Sequence, residues 1–96
     1  MNSEHIRLAC IGCGRIAQDH LDAISMIETA SIVGVVDINI DVAQSVANQF
    51  ECDSFTSHMD LFKNCDIDAV LICTPPVTHS EITSYFLDRG IHVLCE

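Results

Sequence analysis

Along this chain, apolar runs of strand length alternate with segments of helical period, and few folds accommodate that pattern. Arg7 to Ile11 is largely apolar and is stopped by Gly12-Cys13-Gly14; Ile16, Ala17, His20, Leu21 and Ile24 then recur at the spacing of one helix face. Ser31 to Val36 is β-rich and ends at Asp37, and Val42, Ala43, Val46, Ala47 and Phe50 form a second helical stripe. Ser54 to Thr56 reads as a short strand and Ser57 to Lys63 as a short helix with Ser57 at its N-cap. Ala69 to Cys73 is continuously apolar, the pattern of a strand covered on both faces, and Thr74-Pro75-Pro76 stops it. Thr78 followed three residues later by Glu81 reads as a capping box, Ile82 and Phe86 as an apolar pair, and Gly90 as a C′ glycine. Ile91 to Cys95 reads as the last strand.

Strands separated by helices pair in parallel through right-handed crossovers. The expected fold is therefore α/β: a doubly wound parallel sheet of five strands in the order 3-2-1-4-5, with helices on both faces. In that order the ligand crevice lies at the carboxyl ends of strands 1 and 4, where the winding reverses. The 96 residues, 49% apolar and 19% charged, suit one domain spanning 1–96. A chain this short buries roughly 60–65% of its unfolded surface and is expected to be modestly stable.

Fourteen acidic residues against four basic ones give a net charge of −10. Nucleic acid and anionic membranes are bound by clustered Lys and Arg, so neither is expected as a partner. The six cysteines raise the question of a secreted disulfide framework. Met1 to Arg7 lacks the basic and apolar regions of a signal peptide, and no apolar run has the length of a membrane span, so a reducing cytoplasm is expected. The chain stops on the apolar run before Glu96, which reads as a cut through a larger protein.

Gly12-Cys13-Gly14-Arg15-Ile16-Ala17 is G-x-G-x-x-A between a strand and a helix. The first glycine permits the tight turn, the second lets a pyrophosphate approach the backbone, and Ala17 allows close helix–strand packing. The amides of Gly14, Arg15 and Ile16 at the positive end of the helix would then hold the phosphates. Asp37, twenty residues beyond Ala17, can accept hydrogen bonds from the adenosine ribose hydroxyls; as a bland alternative it opens a solvated turn. Its charge would repel a 2′-phosphate, and Ile38-Asn39 supplies no cation to offset this, so NAD is expected over NADP. Arg15 either faces the pyrophosphate or caps solvent. Thr74, Pro75 and Pro76 would form a rigid wall of the crevice. His79, in the first turn of the next helix, has a structural and a functional reading.

Cys10-Ile11-Gly12-Cys13 is formally C-x-x-C, but no second pair completes a tetrahedral metal site, so no metal is expected. Cys10, Cys73 and Cys95 fall on neighbouring strands as small buried hydrophobes. Cys13, at a helix N-terminus, is expected to have a lowered pKa and a reactive thiol. Asp66 and Asp68 precede the fourth strand, away from the crevice, and read as solvated turn residues.

Taken together, Ile11-Gly12-Cys13-Gly14-Arg15-Ile16-Ala17, Val36-Asp37, Ile72-Cys73-Thr74-Pro75-Pro76 with His79, and His92-Val93-Leu94-Cys95-Glu96 resemble the N-terminal half of the Gfo/Idh/MocA oxidoreductases. The resemblance runs from about Ile6 to Glu96. It implies a Rossmann domain followed by a larger α+β domain, and hydride transfer between a sugar or cyclitol hydroxyl carbon and a nicotinamide. In that family a Glu-Lys-Pro motif follows the fifth strand. Glu96 matches its Glu and is grouped with the cofactor-facing residues; the lysine, the proline and the substrate domain lie beyond the residues given. The expectation is thus a cofactor-binding domain that is catalytically incomplete, reaching a sugar or cyclitol only with the missing domain. The uncovered edge of its fifth strand would be open to self-association. The alternative is a nucleotide-sensing module that binds without turnover, or a gene remnant.

Overall fold

β1 (Ile6–Ile11) is the centre of the sheet: it pairs in parallel with β2 (Ala30–Val36) on one side and β4 (Ala69–Ile72) on the other. β3 (Asp53–Phe55) adds outside β2 and β5 (His92–Cys95) outside β4, giving the order β3-β2-β1-β4-β5. This is the order expected from the sequence. The computed structural model describes residues 5–95.

Burial on both faces explains the apolar runs. Ala9, Ile11, Val36, Val70 and Ile72 point to one face and pack with Leu61, Ile82 and Phe86 of α3 (His58–Asn64) and α4 (His79–Leu87). Cys10, Val35 and Leu71 point to the other, against Ala17 and Leu21 of α1 (Arg15–Ile24) and Val46 and Ala47 of α2 (Ile40–Phe50). The α1 stripe is narrower than its periodicity suggests, since Ile16 is 54% exposed and only Ala17 and Leu21 are buried.

β2 carries an irregularity that its composition conceals. Leu8 aligns with Ile32 but Ala9 with Gly34, so Val33 is an extra residue. Because side chains alternate along a strand, this insertion decides that Val35 faces α1 and α2 while Val36 faces α3 and α4. Gly34 lies directly under α3, where an added Cβ would stand 2.5 Å from Leu61 Cδ1.

Helix ends follow local chemistry. The Asn39 side chain accepts from the amides of Asp41 and Val42, and Ser57, as expected, accepts from Met59 and Asp60. Gly90 has φ +79; its amide bonds Leu87 O and that of Ile91 bonds Phe86 O, the paired C-terminal bonds expected of a C′ glycine. The Thr78–Glu81 capping box does not form. A short 3₁₀ turn, Pro76–Thr78, runs straight into α4 and places Thr78 at φ −99, ψ −6, with no side-chain cap bond. An extended backbone is what a capping residue needs, and Thr78 is not extended.

Two expectations about polar residues are also corrected. Asp68 is not a free turn residue: its carboxylate accepts from Arg7 Nε (3.1 Å), Nη2 (3.1 Å) and backbone N (2.8 Å). Its own backbone bonds Arg7 O and His92 N, so it clasps the starts of β1, β4 and β5. The cysteines are not uniformly core: Cys10 and Cys13 are buried, Cys52, Cys65 and Cys73 are half-buried, and Cys95 is exposed.

Candidate functional site

The site is built where β1 ends. Gly12 has φ +94, a conformation that a side chain resists, and a Cβ there would meet Cys73 C at 2.9 Å, Cys73 O at 3.0 Å and Thr74 Cγ2 at 3.1 Å. The turns after β1 and β4 therefore approach closely at this residue. Its amide donates to Val36 O (2.7 Å) and the Cys73 amide to Ile11 O (2.8 Å), which draws the ends of β2, β1 and β4 together.

Gly14 is different in kind. Its backbone is extended (φ −77, ψ −167) and an added Cβ would meet nothing within 4 Å. It is the N-cap of α1 and supplies no side-chain cap, unlike Asn39 and Ser57 on the next two helices. The first bond of α1 runs from Gln18 N to Gly14 O, so the amides of Arg15, Ile16 and Ala17 precede the helical ladder. A residue without a side chain, open space beside it and amides preceding the ladder at a positive helix end make a cradle of the shape and polarity that an anion requires.

Asp37 closes the other side of the cradle. Oδ2 accepts from the Cys13 amide (3.0 Å) and Oδ1 from the Asn39 amide (2.9 Å). A carboxylate offers about four acceptor positions, so roughly two stay available to hydroxyl donors. The middle amide of the glycine turn is thus spent on holding Asp37, a link that spacing alone does not reveal.

Across the crevice, the Thr74–Pro75 turn is braced by α4. His79 Nε2 bonds the Thr74 carbonyl (2.6 Å), and Thr78 bonds the Thr74 hydroxyl (2.7 Å) and the Pro75 carbonyl (2.9 Å). The His79 imidazole thus secures the turn through this bond.

These elements enclose a cleft of about 470 Å³. Gly12, Cys13, Gly14, Asp37, Ile38, Thr74 and Pro75 line it as expected. Arg15, Ile16 and His79 lie beside it without lining it, and Glu96 lies outside the described residues. Thr56, His58, Thr78 and Ile82 also line it and were not anticipated. They come from the β3–α3 connection and the start of α3, and from the β4–α4 connection and α4; only the strand order, which puts β3 beside β2, could have directed attention to the first of these.

The Cys13 expectation is overturned. The residue is 7% exposed and its thiol is turned toward Val36 O (3.5 Å). Burial, and then the charge of Asp37, push its pKa up to about 12, which outweighs the helix dipole and leaves a protonated, unreactive thiol. Burial pushes Cys52 up to about 11 as well.

Comparison with known proteins gives this geometry a context. Residues 6–96 match the Gfo/Idh/MocA oxidoreductase family, described as having an NAD-binding Rossmann fold. The chain belongs to that family. It is 37% identical over 92 residues to inositol 2-dehydrogenase 3 of Saccharopolyspora erythraea, covering 95% of this chain and 27% of that protein. Among solved structures, a myo-inositol dehydrogenase of Corynebacterium glutamicum superposes with a TM-score of 0.88 at 31% identity, over 94% of this chain and 27% of that one. The WlbA dehydrogenase of Bordetella pertussis, solved with NADH and UDP-GlcNAcA, superposes with a TM-score of 0.89 at 28% identity, over 94% and 28%. The chain thus spans about a quarter of the length of these relatives and corresponds to the family's NAD-binding Rossmann domain. Among the described residues, no helix is long and apolar enough to cross a membrane.

Proposed function

We propose that residues 1–96 form one dinucleotide-binding domain whose cleft takes NAD along a defined set of residues. Gly14, Arg15 and Ile16 offer backbone amides to the pyrophosphate, with Gly12 and Cys13 shaping the turn. Asp37 accepts the adenosine ribose hydroxyls beside Ile38, and Thr74 and Pro75, braced by His79, wall the nicotinamide end. The observation that carries this reading is the open space at Gly14 Cα beside the uncapped start of α1. Bound NAD supplies a nicotinamide carbon that accepts or returns a hydride. In the whole protein we infer that the hydride comes from a CH–OH carbon of a sugar or cyclitol, a reading supported by the names of its relatives. None of the described residues is assigned the proton transfer.

The preference is for NAD over NADP, because Asp37 presents a negative charge where a 2′-phosphate would lie and neither Ile38 nor Asn39 offsets it. Titration of the chain with both dinucleotides tests this. Asp37→Ala should weaken NAD by about ten- to a hundredfold, consistent with ~1.5–3 kcal/mol for hydrogen bonds to a charged group, while narrowing its advantage over NADP. An unchanged preference would remove Asp37 from the site. We further infer that copies self-associate through β5, which pairs only with β4 among the described residues and leaves Leu94 60% exposed. The compartment proposed is the cytoplasm, where six thiols remain reduced.

A further inference from the structure

Among the residues lining the cleft, His58 has no part in the glycine turn, in the Asp37 contacts or in the bracing of Thr74. It is the first residue of α3, directly after the Ser57 cap, and reaches the cleft together with Thr56. Its ring stands edge-on to Tyr85, with centroids 4.9 Å apart and planes at 83°, and tilted against Phe86 at 5.9 Å and 58°. Those two rings are themselves fixed. Phe86 is fully buried, Tyr85 packs on it at 5.2 Å, and the Arg89 guanidinium covers Tyr85 at 3.6 Å. The orientation of the imidazole is therefore set by α4 rather than by solvent.

The cleft that His58 reaches is lined besides by the apolar Val36 and Ile82 and by the hydroxyls of Thr56 and Thr78. The β3–α3 connection lies next to the carboxyl end of β2, because β3 pairs with β2 and Asp37 N bonds Phe55 O. His58 thus lines the cleft from the element that follows β3, and β3 lies beside the carboxyl end of β2 and Asp37, the residue proposed above to accept the adenosine ribose. Burial, foremost, holds the imidazole below its usual pKa, Arg89 acts in the same direction and Glu81 opposes. A neutral ring is covered by a base at less desolvation cost than a charged one.

We propose that His58 positions the adenine of the dinucleotide, its ring serving as one wall of the base slot between the β3–α3 connection and the start of α4. The inference rests on the reading of the cleft as the NAD site. Aromatic contact with a base contributes roughly 1–3 kcal/mol on alanine substitution, and the lower half of that range is about a tenfold change in affinity.

The test titrates the chain with NAD, ADP-ribose and nicotinamide mononucleotide. His58→Ala should weaken NAD and ADP-ribose alike, by about tenfold, and leave nicotinamide mononucleotide within about twofold of wild type. His58→Phe keeps a flat ring against Tyr85 and Phe86 and should restore ADP-ribose affinity to within about threefold. If the alanine chain does not fold, His58→Leu, which fills the space without a flat face, replaces it in the comparison. ADP-ribose binding unchanged by loss of the ring, or equal weakening of all three ligands, overturns the role of His58 while leaving the NAD site standing. Failure of the wild-type chain to bind NAD or ADP-ribose overturns the site reading itself, and this inference with it.

Discussion

Substituting Gly12 and Gly14 separately by alanine should divide folding from binding, because the two glycines answer to different constraints. At Gly12 the new methyl carries two costs. A side chain at φ +94 is strained by about 1–3 kcal/mol, and a Cβ 2.9–3.1 Å from Cys73 C, Cys73 O and Thr74 Cγ2 forces the β1 and β4 turns apart, an overpacking of about 1–3 kcal/mol. The neighbours are largely backbone, held by the Cys73 N to Ile11 O bond, so they yield little. Together about 2–6 kcal/mol, these costs are a large share of the 5–15 kcal/mol typical of a domain, and with a urea slope of about 1–1.5 kcal/mol/M they lower the midpoint by about 1–6 M. At Gly14 the backbone already suits alanine and nothing lies within 4 Å, so only N-cap preference is lost, under about 1 kcal/mol. That methyl would instead occupy the space assigned to the pyrophosphate, and NAD affinity should fall about tenfold or more, at 1.4 kcal/mol per decade. Urea denaturation and NAD titration of both variants check the pair. A Gly12→Ala midpoint within about 0.5 M of wild type would refute the contact argument, and unchanged NAD affinity in Gly14→Ala would refute the cradle.

Other expectations follow from burial and charge. In native chain treated with iodoacetamide near neutral pH and read by mass spectrometry, Cys95 should be modified first and Cys10 and Cys13 last; a Cys13 as reactive as Cys95 would mean that the helix dipole, not burial, governs its thiol. The Arg7 guanidinium holds Asp68 below the ordinary Asp value of 3.8. The clasp therefore stabilises the fold above that value and is lost as pH falls through the lower folded pKa. Asp68→Asn should be less stable than wild type at pH 7, with the gap in Tm closing under acid; a gap independent of pH would show that the charge on Asp68 contributes nothing. Sedimentation across a concentration series should show reversible association that Leu94→Lys suppresses, and identical distributions for the two chains would remove the β5 edge as a contact.

How much of this was legible beforehand depended on whether a signal was local. The alternation of apolar runs and helical stripes gave the five strands and their order, since the central strands β1, β2 and β4 are covered by helices on both faces and their burial is written in their own residues. The cap at Ser57 and the bonds around Gly90 were equally local. The failures came from contacts between segments far apart in the chain. The extra residue at Val33 reflects how β2 meets β1, and the close approach at Gly34 reflects Leu61 on α3. Thr78 lost its capping role because a proline-initiated 3₁₀ turn occupies the backbone where a cap would form. Cys13 was assigned from its place at a helix start, whereas the thiol answers to Val36 and Asp37, more than twenty residues away. The seven cleft residues found in advance sit on motif turns, while His58 enters through aromatic packing on α4 that no spacing encodes.

Backbone amide shifts recorded by NMR as NAD is added test the central claim most directly, because they report where on the chain the dinucleotide lies. The account predicts that the largest shifts fall on Gly12, Gly14, Arg15, Ile16, Asp37 and Thr74, around the cleft at the ends of β1, β2 and β4. A second, polar groove of about 460 Å³ between α2 and β3, lined by Gln44, Asn48, Asp53 and Asn64, provides the contrast. Shifts concentrated in that groove, with the glycine turn unmoved, would contradict the account.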